Sequence, residues 1–132
     1  MTRDYLAAPL DGGQIGGAAT DFVVVEWSDD GDSEHEWIAP LHVHHEDDEA
    51  WYVLRGVLRF RVGVAAFEAG PGSAVLAPKG VPHAYGNARP GESARYLLVM
   101  TPRIRSLVSA LHEPGDSDRA QVFRDHASEL LA

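Results

Sequence analysis

Cysteine is absent from this sequence. Disulfide staples, thiolate nucleophiles and thiolate metal ligands are therefore excluded, and redox compartment cannot be read from cysteine usage. Long hydrophobic runs are missing too. None approaches the roughly 20 residues needed to span a bilayer, and the start, Met1 to Leu6, lacks the apolar core of a signal peptide. A soluble, cytoplasmic protein is the default expectation. Basic residues are in deficit: 11 Lys and Arg stand against 20 Asp and Glu, a formal charge of −9. That balance disfavours nucleic acid and anionic membranes as partners, since both reward basic patches. There is also no glycine-rich phosphate loop, no Ser/His/Asp constellation and no zinc-protease helix motif.

What the chain does have is glycine, proline and short apolar runs. Its 132 residues suit one domain with a sizeable core, and 13 glycines and 8 prolines favour many short strands joined by tight turns. Residues 1–21 read as a loose arm with at most one edge strand. The run Phe22 to Trp27 is β-branched and aromatic, hence a strand. Ser28 to Ser33 is a surface loop. Glu34 to Ile38 leads towards a strand that should break at Pro40. Leu58, Phe60 and Val62 alternate with Arg59 and Arg61, so the apolar set lines the interior and the arginines face solvent or a partner subunit. Val64 to Glu68 and Ala94 to Met100 are further strands. Thr101-Pro102 then opens a helix whose apolar face is Ile104, Leu107, Val108 and Leu111. Pro114-Gly115 stops it. A second helix is expected from Asp118 nearly to the end, burying Val122, Phe123, Ala127, Leu130 and Leu131.

Chemistry concentrates in two stretches. In the first, Pro40 to Gly56, His42 and His44 lie two residues apart and so share one face of a strand. Glu49 could not join that face on an unbroken strand, but the polar turn His45-Glu46-Asp47-Asp48 resets the parity. After it Glu49, Trp51 and Val53 share a face, and Gly56 ends the strand. Imidazole and carboxylate together suit divalent first-row metals. In the second stretch an apolar strand, Gly72 to Ala77, runs into a turn built on Pro78, Gly80 and Pro82. His83 follows it, a natural source of a third imidazole.

These residues resemble the two motifs of the cupin family. His42, His44, Glu49 and Gly56 match the first motif, whose opening glycine is replaced by Glu36. Gly72, Pro78, Gly80, His83 and Asn87 match the second in full. The resemblance implies an all-β, cupin-type double-stranded β-helix, a jelly-roll barrel. The barrel should span about residues 15–101 and carry two short C-terminal helices over about 102–132, the whole being a single domain over 1–132. It further implies one divalent transition metal held by His42, His44, Glu49 and His83. Three imidazoles and a carboxylate leave positions open for substrate, water or dioxygen. Iron is the first choice, with manganese, nickel, copper or zinc as alternatives.

Trp51, Val53, Phe60 and Tyr85 are expected to point inward beside the metal and form a substrate pocket, with Trp37, Tyr96 and Met100 as weaker candidates. For each one alone, core packing is the better account; as a set they still point to an apolar, aromatic-lined pocket. Glu49 and Tyr85 are the expected catalytic residues: Glu49 as ligand or base, Tyr85 as a hydrogen-bond partner for substrate. His45 points away by parity. His35, His112 and His126 should lie on the surface, Glu46, Asp47 and Asp48 should form a solvated turn, Asn87 should fix a turn, and Lys79 should face solvent. The function expected from this set is that of a metal-dependent oxygenase acting on a small aromatic or enolisable compound. The alternatives are a non-catalytic small-ligand-binding protein and a metal-dependent isomerase or cyclase. Outward apolar residues such as Tyr52, Leu54 and Val57 suggest a homodimer, with the C-terminal helices on the outside of the barrel.

Overall fold

A computed structural model describes residues 5–32, 36–113, 115 and 118–132. Ten strands and two helices follow one another as β1 (Gln14–Ile15), β2 (Val23–Asp29), β3 (Ala39–His44), β4 (Glu49–Arg55), β5 (Leu58–Val62), β6 (Ala65–Ala69), β7 (Ala74–Ala77), β8 (His83–Asn87), β9 (Ala94–Met100), α1 (Pro102–Leu111), α2 (Arg119–Asp125) and β10 (Ser128–Leu130). Two antiparallel five-stranded sheets result. Sheet A has the order β1-β2-β9-β4-β7 and sheet B the order β10-β3-β8-β5-β6. This is an all-β jelly-roll barrel with two short helices.

Alternation in sequence sets the inward faces. On sheet A, Trp51 and Val53 of β4 pair with Leu98 and Tyr96 of β9, and all four are buried. On sheet B, Phe60 of β5 pairs with Tyr85 of β8, again buried. Aromatic rings join the two layers: Trp51 lies 5.2 Å from Phe60 and 5.3 Å from Tyr85, ring centre to ring centre. Tyr52, Leu54 and Leu76 remain exposed on the outer face of sheet A.

Three expectations from the sequence need correction. Pro40 does not break the strand but lies within β3. The register slips between Ala39 and His42, so a residue without an N–H falls at a bulge where the ladder does not need one. The second helix is shorter than expected, ending at Asp125. Ala127 adopts a left-handed φ of 54°, and the chain then forms β10 against the edge of β3, pairing Ser128 with His44 and Leu130 with His42. Of the residues assigned to that helix's buried face, Phe123 is buried, Leu130 belongs to a strand and Leu131 is exposed. Finally, the helices do not sit on the barrel's outer surface. Ile104 joins the core cluster, and the apolar face of α1 closes over the open side of the barrel. The helix starts are as the sequence suggests: Thr101 Oγ1 accepts from Ile104 N at 3.2 Å, and Asp118 Oδ1 accepts from Ala120 N at 3.0 Å. Among the described residues, no helix is long and apolar enough to cross a membrane.

Candidate metal centre

His42, His44 and His83 enter the interior from sheet B, on the neighbouring strands β3 and β8, where His42 and His83 are direct partners. Glu49 comes from the other sheet. The polar run between His44 and Glu49 is thus the crossing from one sheet to the other, which is why five residues suffice to bring the carboxylate opposite the imidazoles. Two bonds fix this crossing to the second motif: Gly80 N donates to His44 O at 2.7 Å, and Lys79 N to Asp48 Oδ1 at 2.8 Å. Asp47 departs from the expected solvated turn. It is buried, with Arg103 Nη1 of α1 3.6 Å from its Oδ2.

All four side chains are buried, and one ligand atom from each lies within 4.8 Å of the others. The ring nitrogens are assigned by their partners. His42 Nδ1 faces Pro40 O at 2.6 Å and His83 Nδ1 faces Val81 O at 3.0 Å. A carbonyl can only accept, so both Nδ1 atoms carry a proton, and in the neutral ring both Nε2 atoms are bare. His44 Nδ1 faces Ser128 Oγ at 2.7 Å. Bare nitrogen lone pairs then converge on an acid oxygen: Glu49 Oε1 is 3.0 Å from His83 Nε2 and 3.3 Å from His44 Nε2. Such an arrangement repels unless a proton or a metal ion sits among the lone pairs. Adjacent ligands of an ion with bonds of about 2.1 Å lie about 3 Å apart when the bonds meet at right angles. The donor set and its spacing therefore fit a divalent metal ion.

Electrostatics agree with that fit. The His42 pKa is lowered to about 4 by burial first, then by His83 and His44 beside it. Burial pushes Glu49 up, but the hydrogen bonds that His44 and His83 make to it when their Nε2 atoms carry a proton outweigh it and hold the carboxyl at about 2; a metal ion would take the place of those protons. His42 and Glu49 are thus in their metal-binding forms at neutral pH.

His42, His44 and Glu49 open onto a cavity of about 800 Å³. Its lining is mixed: Leu98, Ile104, Leu107, Val108, Leu111 and Phe123 are apolar, and Ser28, Arg105, Ser109, His112, Glu113 and Arg119 are polar or charged. Phe123 also sits 5.6 Å from the His42 ring, centre to centre. Tyr85 lines this space, and its hydroxyl meets that of Tyr96, also in the lining, at 2.9 Å. Burial raises the pKa of Tyr85 well above its ordinary value and that of Tyr96 to about 12, so both remain hydroxyls.

The other residues singled out from sequence fall as follows. Trp51, Val53 and Phe60 are buried in the core behind the metal ligands and do not line the cavity; Trp51 touches the centre from behind, 5.7 Å from the His83 ring. Met100 is core, and Trp37 lies under the Arg59 guanidinium, 4.0 Å from its ring centre, away from the cavity. His45 is half-exposed beside Glu129, and Lys79 is exposed. Asn87 fixes its turn by bonds to Asp29, Glu92 O and Arg89 N. His126 is partly buried at the end of α2, and exposed His112 stands in the cavity lining. His35 lies outside the described residues. The sequence reading missed Ser128, Phe123 and the α1 side chains as parts of the site. The apolar stripe on α1 was visible, but nothing in it tells that its destination is the barrel's open side.

A jelly-roll barrel with three imidazoles from one sheet and a carboxylate from the other defines a metal-binding protein of the cupin type. The Cupin domain family matches residues 33–100, just over half of the chain, and the chain belongs to that family. No curated protein matches the sequence. Among solved structures, it is similar to KdgF from Halomonas sp. at 19% identity and a TM-score of 0.56, over 67% of this chain and 74% of that one. It is similar to a cupin-superfamily sugar phosphate isomerase from Silicibacter pomeroyi at 24% identity and TM-score 0.54, over 64% and 52%. It is also similar to the polyketide cyclase RemF from Streptomyces resistomycificus at 30% identity and TM-score 0.51, over 64% and 57%. The chain therefore spans just over half the length of the isomerase and of the cyclase.

Proposed function

We propose that this cupin is a metal-dependent enzyme acting on an apolar organic molecule that carries an enol, phenol or carbonyl oxygen, with oxygenase chemistry as the first expectation and iron(II) as the first metal. One observation carries the reading: His42, His44 and Glu49 of the ligand group line a cavity that also presents Leu98, Ile104, Leu107, Val108, Leu111 and Phe123, with polar and charged side chains of α1 and α2 among them. A metal there would supply Lewis acidity and a coordination position for a ligand oxygen. Leu98, Leu107 and Phe123 would hold the apolar body and exclude water. The Tyr85–Tyr96 pair would offer a hydroxyl proton to a second oxygen. Two hydroxyls share one hydrogen bond, so one proton is left over for an acceptor in the cavity. Glu49 would be a ligand or, if released, a base. Reaction without dioxygen, as isomerase or cyclase, is the second reading. The likeness to a polyketide cyclase favours it.

The test is to load the purified protein with iron(II), manganese, nickel, copper or zinc and offer flavonols and related enols, following oxygen uptake and product formation together. Oxygen uptake that disappears in His44→Ala supports the oxygenase. Conversion without oxygen uptake selects the second reading. Binding without conversion under any metal defeats both.

A further inference from the structure

We propose that Ser128, on the last strand of the chain, is a positioning residue for the metal centre, setting the His44 ring so that Nε2 is the coordinating atom. This rests on the reading of His42, His44, Glu49 and His83 as metal ligands.

The three imidazoles are held in two different ways. His42 and His83 each lean on a peptide carbonyl two residues earlier in the chain, within the same strand or the turn before it. A carbonyl has no proton to give, so it leaves the ring no choice of tautomer. His44 instead leans on a hydroxyl 84 positions away in sequence. A hydroxyl can donate or accept, so on its own it would leave the ring undecided. The ambiguity is removed by a second bond: Ser128 Oγ donates to His126 O at 3.0 Å. Its only proton is thereby engaged, and the oxygen can only accept from His44 Nδ1. The relay His126 O, Ser128 Oγ, His44 Nδ1 thus leaves Nε2 bare and facing Glu49.

The backbone makes this relay firm. Ser128 pairs directly with His44 across β10 and β3, and the pairing is flanked by His45 N to Ala127 O and Leu131 N to Leu41 O, each 2.9 Å. Ser128 is 2% exposed, so water does not compete for its hydroxyl. The left-handed Ala127 turns the His126 carbonyl and the Ser128 side chain towards one another at the start of the strand. The C-terminal strand therefore completes a ligand's outer sphere as well as a sheet edge.

The experiment measures the Zn²⁺ affinity of the full chain by competition with a chromophoric chelator, for wild type, His44→Ala and Ser128→Ala. It is combined with ¹⁵N NMR of the imidazoles in the Zn²⁺-loaded wild type. Ser128→Ala is expected to bind about 10- to 100-fold more weakly, the usual cost of losing an outer-sphere partner. The wild-type spectrum is expected to show His44 coordinating through Nε2, with a slowly exchanging Nδ1 proton. Ser128→Ala binding within twofold of wild type, or His44 coordinating through Nδ1, overturns the proposal. If wild type binds no Zn²⁺, or His44→Ala binds as tightly as wild type, the ligand assignment itself falls and the proposal with it. Loss in His44→Ala without loss in Ser128→Ala defeats Ser128 alone. Should Ser128→Ala fail to fold, the wild-type spectrum still decides.

Discussion

Glu49 is the one ligand that brings negative charge, and it comes from the sheet opposite the imidazoles. Replacing it by Gln keeps the shape and removes the charge. Metal affinity should then fall by at least the 10- to 100-fold, approximately, seen for outer-sphere partners; calorimetric titration with Zn²⁺ checks this, and unchanged affinity would make Glu49 a bystander. The tyrosine pair gives a different kind of prediction. Tyr85 and Tyr96 are buried and each has the other's hydroxyl as its partner. Tyr96→Phe should cost about 1–3 kcal/mol, because the remaining hydroxyl is left unsatisfied, whereas the double Phe variant should be no less stable than the single one. Urea unfolding of the two single variants and the double closes the cycle; strictly additive losses would refute the pairing. At this scale the sequence was informative about direction and silent about neighbours. Alternation tells that Trp51, Val53, Phe60 and Tyr85 point inward. It does not tell which inward side chains front a cavity and which fill the space behind the ligands. That depends on where the two sheets separate and on what α1 and α2 bring to the gap.

Turns and strands show which elements were readable. Gly56, read as the end of β4, has φ 77°, and a Cβ there would meet Ser93 O at 2.5 Å and Ala94 Cα at 2.7 Å. Gly80, in the turn before His83, also has a positive φ of 81° but nothing within 4 Å of its Cβ position. Gly80→Ala should therefore cost only the left-handed penalty of about 1–2 kcal/mol, and Gly56→Ala clearly more, because backbone atoms must move as well. Thermal unfolding of both variants tests the ranking, and equal losses would contradict it. Turns of this kind, period-two strands and the two helix caps are local properties, and they were legible. β10 was not. Three residues, Ser128, Glu129 and Leu130, are too few to show a period, and they follow a helix without a proline or glycine to announce the change. What makes them a strand is the free edge of β3, nearly ninety residues earlier. The outer-sphere contact to His44 was illegible for the same reason.

The molecule as a whole carries its polar centre between two apolar sheets, so its stability should depend on pH through groups that folding keeps unprotonated. In the metal-free protein His42 titrates at about 4 instead of 6.5, held down by burial and then by the neighbouring imidazoles. Burial pushes Glu49 up, but the hydrogen bonds it accepts from His44 and His83 when their Nε2 atoms are protonated hold it at about 2 instead of 4.5. Between these folded and unfolded values the unfolded chain binds more protons than the folded one, so stability rises with pH across that range. The contribution is complete above pH 6.5. It declines as pH falls through the His42 window to 4, by about 3 kcal/mol, and declines further through the Glu49 window towards 2. A bound metal ion adds to the effect in the same direction, because protons compete with it for the same nitrogens and oxygens. Saturation at about a thousand times Kd should raise stability at neutral pH by about 4 kcal/mol, a gain that acid removes. Urea unfolding of chelator-treated protein at pH 7, 5.5 and 4.5 should show the midpoint moving steadily down. The His42→Gln variant should lose most of the dependence between 6.5 and 4 while keeping the later fall. A midpoint that rises on acidification would mean that His42 is protonated in the folded protein, and its bare-nitrogen geometry, on which metal binding depends, would have to be given up.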